Sequence, residues 1–184
     1  MEENKYTKIL VGLSALATAA AGIIHLWLAS IHWFHSPAHG IFFLIVGVAQ
    51  VLWSNFVYRQ PSPRLYIIGA VMSGWLIVLY GITRWLPAPF HHGPEAIGMM
   101  DLTCKACEAL GMITLAILVF QGLVLSAGRP AARRMIALIV LFSFITGFMT
   151  YGLARAAEPV FPEWVPPAEV QLSHDEGVPP DHDH

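Results

Sequence analysis

Residues 22–40 read GIIHLWLASIHWFHSPAHG, and they hold His25, His32, His35 and His39. These histidines stand where a long apolar run ends, the chain turns at Pro37, and a second apolar run begins. An imidazole is costly to place in or near hydrocarbon without a partner, so ionisable groups in such places lean towards function. His32 and His35 are three residues apart and share a helix face. His39 lies across the turn, and a second polar connection, HHGPE, supplies His91, His92 and Glu95. Neutral imidazole suits zinc and copper. The candidate metal ligands are therefore His32, His35, His39, His91, His92 and Glu95, gathered at one edge of a membrane. The competing reading is a set of interfacial histidines bonded to backbone and headgroups, since no fixed ligand spacing such as H-E-x-x-H is present.

His25 lies seven residues before His32, roughly 10 Å deeper along a helix axis, and cannot share an ion with it directly. A second group of polar residues opens a later apolar run: Asp101, Cys104, Lys105, Cys107 and Glu108. Asp101, Cys104 and Glu108 fall on one helix face, and Lys105 is one turn from Asp101 and can pair with it. Glu108 sits at a depth comparable to His25. A carboxylate and an imidazole at matched depth are natural partners, so His25 and Glu108 are expected to form a buried polar pair, either structural or part of a proton or cation relay.

Cys104 and Cys107 form a C-x-x-C at the outer end of a helix, which suits disulfide exchange with an outer-compartment partner, or a soft metal, or plain packing. Arg84 ends the preceding apolar run and has three readings: a snorkelling cation, a clamp on Glu95 or Asp101, or a hold on an anionic substrate. For haem, only His25 is deep enough to be an axial ligand.

Positioning these groups requires long helices. The chain has 184 residues, 56% hydrophobic and 12% charged, against about 25% charged in a soluble domain. The apolar residues gather in five runs, at about 9–33, 40–58, 65–86, 97–126 and 135–153, each near the length of about 20 residues that spanning needs. The first begins like a cleavable leader, with Lys5 and Lys8 before LVGLSALATAAAG, but it continues well past Gly22 and reads as a retained helix. The fold class expected is all-α, an integral membrane bundle of five transmembrane helices over residues 1–155. Residues 156–184, acidic and rich in proline and histidine, read as a flexible outer tail.

Of ten basic residues, Lys5, Lys8, Arg59, Arg64, Arg129, Arg133 and Arg134 fall on one side of such a bundle. The positive-inside rule then puts the N-terminus in the cytoplasm and the C-terminus outside, in the cell (inner or plasma) membrane. All nine histidines lie towards the outer side. A net charge of -2 supports no nucleic-acid partner.

The run LIVLYGITRWLPAPFHHGPEAIGMMDLTCKACE resembles a pattern in a family of uncharacterised bacterial multi-span membrane proteins: an arginine ending one helix, a Pro/Gly loop, then G-P-E, an aspartate and a glutamate one helical face on. The resemblance covers about a third of the chain and brings no activity with it. It implies that Arg84, Glu95, Asp101 and Glu108 belong together.

The function read from these residues is a membrane protein with an outward-facing His/carboxylate cluster binding copper or zinc, for delivery, sensing, export or as an accessory subunit. Alternatives are a membrane redox protein, using the cysteines with a quinone or holding haem, and a structural subunit. No catalytic residue emerges. The expected partners are the lipid bilayer and a larger membrane complex or a second copy of the chain.

Overall fold

A computed structural model describes residues 5–34, 36–91, 93 and 97–165. These form five helices and no strand: α1 (Lys5–His32), α2 (Pro37–Arg59), α3 (Pro63–Trp85), α4 (Met99–Ala127) and α5 (Arg129–Ala157). All five are long and apolar enough to cross a membrane. Their outward faces carry large apolar side chains, among them Leu16, Ile45, Ile68, Leu125 and Phe148. A water-soluble bundle would put polar residues there.

The helix ends follow local chemistry. Pro37, Pro63 and Pro130 each stand in a first turn, where the missing N–H has no intrahelical partner to lose. Ser62 caps α3 by accepting from the Leu65 N–H (3.4 Å). Asp101 accepts from the Gly98 N–H (3.4 Å) at the start of α4.

The structure differs from the sequence reading at α5. The fourth and fifth apolar runs leave residues 127–134 as a connection, yet α5 starts at Arg129 and Gly128 alone separates it from α4. Gly128 has φ 84°, a backbone conformation open to glycine, and it turns the chain in one residue. After Ala157 come two short 3-10 turns, Glu158–Val160 and Pro162–Trp164, where the sequence suggested a flexible tail from residue 156. Glu158 Oε1 accepts from the Phe90 N–H (2.6 Å) and from Arg155 Nη1 (2.8 Å). Trp164 stacks on Phe161 and leans on Phe90. These contacts fasten the chain after α5 to the α3–α4 connection. Residues 166–184 lie outside the described part.

Helix α4 is central and packs against α1, α3 and α5. Helix α2 lies along α1 and barely meets α3. Small residues set the closest approaches. A Cβ added at Gly47 would stand 2.8 Å from the Gly22 carbonyl oxygen, so the α1 and α2 backbones nearly touch there. A Cβ at Gly111 would stand 3.0 Å from Thr18 Oγ1, which brings α4 onto α1. The end of the bundle holding the start of α1 is filled by an apolar core that includes Val11, Trp53, Val57, Tyr66, Leu115 and Val119.

Candidate metal centre

Where α1, α2 and α4 converge, the bundle encloses polar groups. His25 is three residues from Gly22 and Gln50 three from Gly47, so the close backbone approach brings these two side chains together. His25 Nδ1 lies 2.8 Å from Gln50 Oε1. Gln50 Nε2 donates to Glu108 Oε1 (3.2 Å). The two contacts fix the amide's orientation, because a carboxylate can only accept. With its oxygen turned to His25, the amide must accept from Nδ1–H. The proton is therefore on Nδ1, and the lone pair of the imidazole is on Nε2.

Nε2 faces Cys104 Sγ at 3.6 Å and Glu108 Oε1 at 3.7 Å. Cys104 Sγ is 3.9 Å from the same carboxylate oxygen. One ligand atom from each of His25, Cys104 and Glu108 lies within 4.8 Å of the others, and all three residues are buried. The second carboxylate oxygen, Oε2, pairs with Lys105 Nζ at 2.5 Å. The ring of His25 stacks on Phe43, with centroids 5.6 Å apart.

The group that could hold a metal is buried, where the sequence reading placed the metal ligands in an outward-facing cluster and expected His25 and Glu108 only as a buried polar pair. By spacing Lys105 can pair with Asp101, and Arg84 can clamp it. Arg84 takes Asp101 (Nη2 to Oδ2, 2.9 Å), and the ammonium of Lys105 goes to Glu108. The physical reason is burial: Glu108 is fully enclosed and needs a counter-charge more than the partly exposed Asp101 does. Arg84 and Lys105 also flank the ring of Tyr80, at 4.3 and 5.5 Å from its centroid. Cys104 and Cys107 are both free thiols, the first buried and the second half-buried.

Of the candidate ligands nearer the helix ends, His32, His39 and His91 are half-buried. The rings of His32 and His39 are 6.3 Å apart, and those of His39 and His91 6.5 Å. Phe43 lies against both His32 (5.2 Å) and His39 (6.5 Å). His35, His92 and Glu95 lie outside the described residues.

The sequence reading put Cys104 and Glu108 on one helix face and paired His25 with Glu108, but did not join the three in one metal site. Gln50 was not among the site residues read from the sequence. The missed signal was Gln50's depth, one turn from a glycine able to bring α2 close. Comparison with known protein families, with curated proteins and with solved structures found no match.

Proposed function

We propose that this is a membrane protein that binds a transition-metal ion inside its helix bundle, with His25 Nε2, Cys104 Sγ and a Glu108 oxygen as ligands. One observation carries the reading: three lone-pair atoms converge in a fully buried space, with the other nitrogen of the imidazole already held by Gln50. A ligating histidine characteristically donates its other N–H to a fixed acceptor, which Gln50 supplies. Nε2 and the carboxylate oxygen, 3.7 Å apart, have the one Cys104 thiol proton to share between their lone pairs. A bound ion engages both. The mixed nitrogen, sulfur and oxygen set suits zinc or copper and disfavours magnesium and calcium.

Binding requires the Cys104 thiol to give up its proton. Lys105 holds the far oxygen of Glu108 and leaves the near one directed inward. The distribution of basic residues favours the histidine-rich end facing the outer compartment. The redox reading draws less support, since buried Cys104 offers no sulfur surface to a partner protein.

The test is elemental analysis of the full chain purified in detergent, beside a visible absorption spectrum. About one copper or zinc ion per chain is expected. Cys104→Ser and His25→Ala should each abolish it. A wild-type protein without copper or zinc, or unchanged metal in both variants, would overturn the reading.

A further inference from the structure

The buried centre lies well inside the bundle, so an ion needs a way in. The end of the bundle holding the start of α1 is closed by apolar packing of Trp53, Val57, Tyr66, Leu115 and Val119. At the other end imidazoles from three segments follow one another: His91 from the α3–α4 connection, His39 from the first turn of α2, and His32 from the last turn of α1. Phe43 then stands between His32 and His25, in ring contact with both (5.2 and 5.6 Å).

The spacing has a coordination meaning. With a metal–nitrogen distance of about 2.0–2.1 Å, a ring centre stands roughly 3 Å from the ion, so two imidazoles sharing one ion have centres about 5–6.5 Å apart, the upper end being the linear arrangement. The observed 6.3 and 6.5 Å fall at that upper end. Linear two-coordination suits monovalent copper, whereas zinc takes four ligands in a tetrahedron. The tautomer of His32 suits ligation through Nε2. His32 Nδ1–H donates to the Leu28 carbonyl (2.9 Å), which puts the lone pair on Nε2. Gly93 holds His91 by its Nδ1, with the carbonyl oxygen 2.9 Å away and the N–H 3.2 Å away.

We propose that His91, His39 and His32 form a loading route that passes monovalent copper stepwise to the buried centre, with Phe43 as its gate. This rests on the buried metal centre proposed above and assigns its ion and its access. Each step exchanges one imidazole for the next on an ion that stays monovalent, so no electron is transferred. At the last step the Cys104 thiol proton passes by way of the Glu108 carboxylate, whose Oε1 is 3.9 Å from the sulfur, to the buffer as the sulfur takes the ion. A thiolate in the destination favours forward transfer, because soft sulfur holds monovalent copper more strongly than imidazole does.

The route is tested by the rate at which the metal-free full chain in detergent takes copper(I) from a coloured copper(I) chelate. His39→Ala should slow loading severalfold while the final stoichiometry stays at the wild-type value. Phe43→Ala should do the opposite and speed loading. His39→Gln, which keeps a polar side chain beside Ser36, guards against a misfolded alanine variant and should also be slow, and thermal melts report folding for each. Opposite signs at the two positions separate a route from general loosening of the bundle. Wild-type rates in both His39 variants, with Cys104→Ser abolishing uptake, would overturn the route and leave the buried centre standing. A wild-type chain that takes up no copper(I) but holds zinc would overturn the assigned ion and the route together; one that binds neither metal would overturn the centre as well.

Discussion

Replacing Glu108 by alanine and by glutamine should separate the two roles of its carboxylate. Glu108 is completely buried and accepts from the Gln50 amide (3.2 Å) and from Lys105 (2.5 Å). Hydrogen bonds between membrane helices average about 0.6 kcal/mol and reach about 1.7. A buried donor left without a partner costs about 1–3 kcal/mol more. Gln50 is fully buried, so in Glu108→Ala its N–H stays unsatisfied. Lys105 keeps 17% of its side chain exposed and can turn its ammonium outward, which lowers its share of the loss. With a cavity added, the alanine variant should lose about 3–4 kcal/mol.

Glutamine keeps the volume and an oxygen for Gln50 and gives up only the charge facing Lys105, for a loss of about 1 kcal/mol. The assay is reversible unfolding of chelator-treated protein in mixed micelles, followed by helicity, so that metal affinity does not contribute. Equal losses in the two variants, or an alanine variant as stable as wild type, would refute the reasoning.

Two further outcomes follow from packing and charge. A Cβ at Gly69 would run into the Trp53 indole, while one at Gly81 meets nothing within 4 Å. Gly69→Ala should therefore destabilise by about 1–3 kcal/mol, and Gly81→Ala should stabilise by about 0.5–1 kcal/mol; thermal melts in detergent showing the same sign for both would count against the packing described. Arg84, 9% exposed, ties α3 to α4 through Asp101. Arg84→Ala should cost about 1.5–3 kcal/mol and increase proteolytic cleavage between residues 86 and 98, whereas Asp101→Asn should cost less because its amide oxygen still accepts from Gly98; no change in cleavage with Arg84→Ala would remove the clamp.

Much of the architecture was legible along the chain. Five apolar runs of spanning length give five helices, and Pro37 and Pro63 start two of them, as a residue without an N–H does best in a first turn. Helical rise alone puts His25 and Glu108 at comparable depth. The α4–α5 junction was not legible, because RPAARR reads as polar connection yet consists largely of good helix formers that continue the helix past Gly128.

The sequence by itself determined the number of helices, their lengths and the depth of each polar group along its helix. Only the tertiary structure decided which polar groups meet. It turned Gln50 between His25 and Glu108, gave Lys105 to Glu108 and Asp101 to Arg84, and set the Cys104 sulfur beside the imidazole. The physical reason lies in the surroundings such a bundle is built for. A helix facing lipid is apolar on its outer side as well as its inner side, so hydrophobic periodicity says little about its rotation or its neighbours. Those are set by a few close contacts between small residues, Gly22 on Gly47 and Gly111 on Thr18, and such contacts exist only once the helices have come together.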